Sequence, residues 1–249
     1  MAGSVCCKIL DMVMDLLKAG ALELGIKLTE VQIEQFETYF RELVNWNQKI
    51  NITRITDYSE AQVKHFIDSL SICIAWKPVN KDYVLDVGAG AGFPGLPLKL
   101  AFPDFRLVLL EATAKKTVFL QHIVEKLGLR DVIVITGRAE EIAQIPEYRE
   151  QFDVVLARAL AELPVAVELT LPFCKTGGTF IASKKGDIKD ELVQSGKAIN
   201  ILGGRLKEIK AVDLLEFTDE RCLVIIEKVV PTPGKYPRRS GMPAKRPII

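Results

Sequence analysis

Three carboxylates and one guanidinium fall at the ends of short apolar runs: Asp86, Glu111, Glu140 and Arg158. A glycine run follows the first of them in "VLDVGAGAGFPG", residues 84–95. Glycines there permit positive φ and let the backbone approach a ligand that a Cβ would push away. Pro94 suits the first turn of a helix, whose free N–H groups would face whatever sits in the turn. Glu111, nineteen residues beyond Gly92, is placed to hydrogen-bond ribose hydroxyls. In "GRAEE" (137–141) the backbone of Ala139 and the side chain of Glu140 are placed to meet the edge and exocyclic amine of an adenine. Residue types in this order describe a site for an adenosine-bearing cofactor.

Such residues need a scaffold that delivers them to one rim, and the sequence supplies a parallel sheet. Short apolar runs alternate with amphipathic helices from about residue 82. They predict strands near 83–87, 106–111, 131–135, 152–156, 178–183, 205–212 and 221–229. Helices are expected after Phe93, after Thr113 (Val118, Phe119, Ile123 and Leu127, closed by Gly128), near 138–145, after Pro164, and from about Asp187 to Asn200. The last two strands are separated by "LLEFTDE", too short for a crossover helix, which predicts an antiparallel hairpin. The fold class is therefore α/β, a Rossmann-like sheet of seven strands, mostly parallel, of the class I methyltransferase type. Before it, Thr29 and Gln32 form a capping box for one helix, Ser59 and Gln62 for another, and residues 5–24 read as an earlier helix. The expected organisation is a helical extension over 1–80, the main domain over 81–230 and a basic, proline-rich tail over 231–249.

Two glycine templates fit. Gly90, Gly92 and Gly95 match the dinucleotide turn G-x-G-x-x-G, whereas Gly88, Gly90 and Gly92 match the D-x-G-x-G-x-G of methyltransferases that begins at Asp86. Charge favours the second. Asp86, Glu111 and Glu140 would oppose a pyrophosphate but tolerate a sulfonium. If a methyl is transferred, the residues after the fourth strand bear on the acceptor. "LARALAELP" lacks the Asn/Asp-Pro-Pro-aromatic cluster used on exocyclic amines, and Cys174 in "LPFCKTGG" lacks the context of a nucleophile for pyrimidine carbon. An acceptor with its own lone pair remains, such as a ring nitrogen of guanine, for which positioning is most of the catalysis.

Composition narrows the setting. No window approaches eighteen uncharged apolar residues, so no membrane partner is expected and a cytoplasmic location is. The five cysteines make no C-x-x-C pair and only two histidines are present, so neither a disulfide framework nor a metal site is expected. The net charge is +1, yet residues 229–249 carry five cations and no acid, which leaves −4 on residues 1–228. A basic tail on an acidic body is an asymmetry associated with polyanions.

"HFIDSL" (65–70), "LDVGAGAGFPGLPLKLAFP" (85–103), "GRAEE" (137–141), "ARALAELP" (157–164) and "YPRRSGMPAKRPI" (236–248) together resemble the bacterial small-subunit ribosomal RNA guanine-N7 methyltransferases, the glucose-inhibited division protein B family. The resemblance runs from about Thr29 to the C-terminus. It implies an S-adenosyl-L-methionine-dependent enzyme that methylates N7 of one guanine in a loop of 16S ribosomal RNA. The expected partner is that RNA or the small ribosomal subunit; the sequence leaves the oligomeric state open, with a monomer favoured. Carried over, cofactor contacts fall on Gly88, Phe93, Glu111, Ala112, Thr113, Ala139, Glu140 and Arg158, to which the residue-level reading adds Asp86, Gly90 and Gly92. Glu111 departs from the aspartate of many members, and its longer side chain still reaches a ribose.

RNA contacts are expected from His65, Lys184, Lys185, Arg238, Arg239, Lys245 and Arg246, the tail lying as an extended arm along a phosphate backbone. Arg158 has three readings: a cofactor contact, a partner for an RNA phosphate or guanine O6, or an ion pair at the strand rim. His122 is expected to be solvated. No catalytic acid or base is named, because N7 carries no proton to remove. The rivals are a dinucleotide-dependent oxidoreductase and a non-catalytic rRNA-binding assembly factor.

Overall fold

The computed structural model describes residues 14–249. Thr29 caps the helix Glu30–Ile50 with the expected box: its side chain accepts from the Gln32 N–H, and Gln32 accepts from the Thr29 N–H at 2.8 Å. That helix buries Ile33, Phe36, Tyr39 and Leu43. The second expected box does not form. Asp57, two residues upstream of Ser59, takes the cap by accepting from the Glu60 N–H at 2.8 Å, and Gln62 instead accepts from the Leu17 N–H on the helix Asp15–Glu23. The helix expected from residue 5 is described only from Asp15; its earlier part lies outside the described residues.

Helical structure runs through 58–74, with a π turn over Gln62–Ile67 and a 3-10 finish over Ser71–Ile74. A π turn widens the backbone and is frequent at functional sites. Here it carries Lys64 and His65.

Seven strands follow: β1 (Tyr83–Val87), β2 (Arg106–Glu111), β3 (Val132–Thr136), β4 (Phe152–Arg158), β5 (Cys174–Lys185), β6 (Gly204–Ala211) and β7 (Arg221–Lys228). Their order is β3-β2-β1-β4-β5-β7-β6, with β1 to β5 parallel and β7 antiparallel to both neighbours. β5 starts earlier than its apolar run, because "CKTGG" still pairs, with a register shift, against β4. On β1 and β2, Val84, Leu107 and Leu109 face one apolar cluster, which they share with the N-terminal helices, and Leu85, Val87, Val108 and Leu110 face the other. This alternation, apolar on both faces, is what a covered parallel sheet requires. Val118, expected on the core stripe of the helix Ala114–Lys126, is 51% exposed.

The chain reverses its winding between β1 and β4. In open α/β sheets a ligand crevice opens above such a switch point, at the carboxyl ends of the strands. Asp86 and Arg158 both sit there.

The tail is no extended arm. Arg149 donates to the carbonyls of Thr232 and Tyr236 at 2.9 and 2.8 Å, Arg238 pairs with Glu168, and a short helix, Met242–Lys245, lies against the body. Among the described residues no helix is long and apolar enough to cross a membrane, and no group of three metal-ligating side chains forms.

Candidate functional site

Asp86 is fully buried at the end of β1. Its Oδ2 accepts from the Gly95 N–H at 2.8 Å, while Oδ1 is buried without a partner. Burial pushes its carboxyl up to about 7, against the pull of the Gly95 N–H and of Arg158. The expected helix begins at Gly95, with Pro94 as its cap, so its first N–H is taken by Asp86 and is not offered to a ligand.

Gly90 takes φ +60°, and a Cβ there would meet nothing nearer than the Gly88 carbonyl at 3.8 Å. It therefore leaves an open cradle. Its N–H donates to Glu111 Oε2 at 2.9 Å, and Glu111 Oε1 accepts from the Thr113 N–H at 2.8 Å. Each carboxylate oxygen keeps capacity for a further donor, such as a hydroxyl.

Two adjoining cavities open at this rim, and Gly88 lines both. The first, of about 210 Å³, is walled by Ala112, Ala139, Glu140, Leu160, Val165 and Pro243. The second, of about 200 Å³, is walled by Thr53, His65, Gly90, Phe93, Lys116 and Arg158. The structure thus brings Gly88, Gly90, Phe93, Ala112, Ala139, Glu140 and Arg158 to one crevice, with Asp86, Glu111 and Thr113 beside it. Gly92 faces the other way: a Cβ there would strike the Tyr39 hydroxyl and Leu96.

Arg158 resolves into an ion pair that also lines the site. It donates to Asp68 Oδ2 at 2.7 Å and to the Lys64 carbonyl, presented by the π turn, at 2.9 Å. Its guanidinium lies 5.1 Å from the Phe93 ring centre. Asp68 is buried and also holds Arg221, so it is Asp68, and neither Asp86 nor Glu111, that balances Arg158.

His65 stacks on Phe93 with ring centres 4.3 Å apart. Its Nδ1 lies 3.4 Å from Arg158 Nη2 and its Nε2 is 2.9 Å from Thr53 Oγ1. Arginine only donates, so Nδ1 is the acceptor and Nε2 carries the proton. Burial first, then the Arg158 cation, lowers its pKa to about 3.

The other expected RNA residues diverge. Lys184 is held by Glu191 at 2.5 Å and by the Ala161 carbonyl, and Lys185 lies 3.4 Å from Asp219. Arg238 is taken up by the buried Glu168, which corrects its reading as a phosphate contact. Arg239, Lys245 and Arg246 are exposed. His122 is paired with Glu42 at 2.7 Å beside the Trp46 ring, since its helix packs on the helix Glu30–Ile50 and is not solvated on that side.

Residue types alone missed Thr53, Lys116, Asp68 and Tyr39, which bonds the Ala91 carbonyl. Asp68 carried a signal: it follows His65 by three residues, a spacing that shares a helix face. Thr53 and Lys116, in a loop and on a helix after β2, carried none.

The crevice suits S-adenosylmethionine. Its first cavity matches an adenine, and the glycine turn where the two cavities meet matches an amino-acid end. The unpartnered Asp86 oxygen suits a cationic ligand, and the carboxylates disfavour a pyrophosphate.

Comparison with known proteins agrees. Residues 32–218 match the family described as rRNA small subunit methyltransferase G. The Dehalococcoides mccartyi (strain CBDB1) protein named ribosomal RNA small subunit methyltransferase G is 50% identical over 230 residues, covering 92% of this chain and 97% of the relative. Its namesake in Roseiflexus castenholzii is 48% identical, covering 95% of this chain and 100% of the relative. Among solved structures, a SAM-dependent methyltransferase from Aquifex aeolicus shares the fold with a TM-score of 0.52 at 19% identity, over 72% of this chain and 97% of that one. The TYW2 protein of M. jannaschii, solved in complex with AdoMet, gives 0.51 at 16% identity, over 71% and 80%. The chain belongs to the ribosomal RNA small subunit methyltransferase G family.

Proposed function

We propose that the protein methylates N7 of a guanine in small-subunit 16S ribosomal RNA, with the adenine of the cofactor in the first cavity and the target base at the second. Bound S-adenosylmethionine supplies an electrophilic methyl on a sulfonium. Ala139 and Glu140 would hold its adenine, Glu111 its ribose, and Gly88, Gly90 and Asp86 its amino-acid end.

The observation that carries the guanine reading is the second cavity. It joins the stacked His65–Phe93 pair to polar donors, and its one imidazole is held neutral with a pKa of about 3, a poor general base. N7 attack needs no base, so a cavity that orients without abstracting a proton fits this acceptor. Guanine presents O6 and N7 side by side as acceptors. Thr53 Oγ1 accepts from His65 and from the Ile55 N–H, which leaves its own proton free to donate, and Lys116 and Arg158 add cationic donors. A loop guanine splayed from its stack is the form such a cavity admits. The exposed Arg239, Lys245 and Arg246 sit on the tail beside the first cavity, where they suit phosphates.

The test is incubation with labelled S-adenosylmethionine and unmodified small subunits or their RNA, followed by N7-sensitive strand scission. Scission at one labelled guanine is the expected result. Label on an exocyclic amine or a pyrimidine carbon would sink the N7 assignment.

A further inference from the structure

The C-terminal segment is tied down by contacts that a solvated tail has no use for. Arg238 donates through Nε and Nη2 to the two oxygens of Glu168 at 2.8 and 2.5 Å, and its backbone N–H adds a bond of 2.9 Å to Oε1. Glu168 is fully buried, so it has no water to replace Arg238. Beyond it, Ser240 Oγ donates to Glu141 and the Gly241 N–H donates to Glu140 Oε1, both at 2.9 Å. Gly241 takes φ +81° and a Cβ there would meet nothing within 4 Å, so the glycine serves the dihedral that aims this N–H. The short helix Met242–Lys245 then places Pro243, which is buried, and Ala244, which is exposed, on the first cavity.

We infer that residues 238–244 are the outer wall of the adenine pocket, clamped by the Glu168–Arg238 pair, so that the tail is a cofactor-binding element. The inference rests on the adenine placement proposed above. Its physical content is twofold. Pro243 and Ala244 give a nucleobase an apolar surface facing Ala139 and Leu160. Gly241 and Arg138 both donate to Oε1 of Glu140, which fixes this carboxylate and leaves Oε2 for an exocyclic amine. Coupling is reciprocal: if the docked wall tightens the cofactor, the cofactor must tighten the wall by the same factor.

Calorimetric titration with S-adenosylhomocysteine, which carries the same adenosine, tests this on three proteins. They are the intact chain, a chain ending at Pro237, and Ala244→Trp, which keeps the clamp and sets a bulky ring at the cavity mouth. Both variants are expected to bind at least tenfold more weakly, with the ligand-free unfolding midpoint of Ala244→Trp unchanged. In the intact protein, tryptic cleavage after the exposed Arg239 and Lys245 is expected to slow severalfold when S-adenosylhomocysteine is added. Affinity within twofold of the intact chain in either variant, or cleavage at the same rate with and without ligand, would overturn the wall. Should the shortened chain fail to fold, Ala244→Trp and the cleavage rates decide alone. An intact protein that binds no S-adenosylhomocysteine would instead remove the adenine placement itself.

Discussion

Asp68 stands between two arginines from the same rim of the sheet: its Oδ2 takes Arg158 from the end of β4 at 2.7 Å, and its Oδ1 takes Arg221 from the start of β7. All three side chains are largely buried, with 3% exposure on Asp68, 14% on Arg158 and 3% on Arg221. The carboxylate therefore locks the helical run 58–74 to the sheet and aims Arg158 into the second cavity.

Asp68→Asn removes the charge and leaves Arg158 without a carboxylate and Arg221 with only the half-exposed Asp219. Breaking a buried pair from one side costs about 3–5 kcal/mol. The variant is expected to lose stability in that range by urea unfolding. Asp68→Asn combined with Arg158→Met should regain part of the loss, because it removes one of the stranded charges. A single variant as stable as the parent would show that Asp68 does not hold the arginines.

His65 gives acid a handle on stability. Its native pKa is lowered to about 3, whereas an unfolded histidine titrates at about 6.5. Between those values the unfolded chain binds the extra proton. The contribution of His65 is thus complete above about pH 6.5 and is lost as pH falls toward about 3, at up to about 1.4 kcal/mol per pH unit. His65→Gln should flatten that slope in urea midpoints measured from pH 7 to pH 5. Equal slopes in parent and variant would rule the linkage out.

Asp86 runs in the opposite direction. Its carboxyl is raised to about 7 in the native state, against about 3.9 unfolded, so here the native chain holds the extra proton. The Asp86 contribution to stability is greatest below about pH 4, falls as pH rises through about 7, and is level above it. Asp86→Asn should make the ligand-free protein more stable at pH 8, where the parent keeps a buried charge with one unpartnered oxygen. A cation bound beside Asp86 favours the ionised form, so cofactor binding near pH 7 should release protons. Calorimetry in two buffers of different ionisation enthalpy measures this, and the release should vanish in Asp86→Asn.

How much of this was open to reading depends on where each side chain gets its neighbours. The strands were legible because covered parallel strands such as Val84–Val87 are apolar on both faces, and Asp86, Glu111 and Glu140 were legible because polar groups break those runs at one rim. Thr53 and Lys116 reach the crevice only through tertiary packing, and nothing in their local pattern differs from a solvated loop or helix face. The docking of the tail is hidden for the same reason. Its charge suggested a polyanion, but the partner of Arg238 is a buried glutamate 70 residues earlier, which composition does not reveal. The end of a strand marks Arg158 as a rim cation, but its counter-ion Asp68 comes from the helical segment that packs across the sheet, which no local pattern shows.

Thr53 separates base positioning from cofactor binding. It lines the second cavity alone, and its hydroxyl already accepts from His65 Nε2 at 2.9 Å and from the Ile55 N–H at 3.1 Å. The hydroxyl proton is left to donate into the cavity, where guanine O6 would take it. Thr53→Val keeps the shape and removes both the donor and the acceptor. A lost hydrogen bond of this kind is worth about 1–1.5 kcal/mol, or roughly a tenfold fall in kcat/KM for small subunits. Thr53→Ser, which restores the hydroxyl, should recover most of the rate, and S-adenosylhomocysteine should bind all three proteins alike. A weakened cofactor affinity in Thr53→Val with an unchanged rate at saturating cofactor would place Thr53 on the cofactor's side of Gly88 and overturn the division of the crevice proposed here.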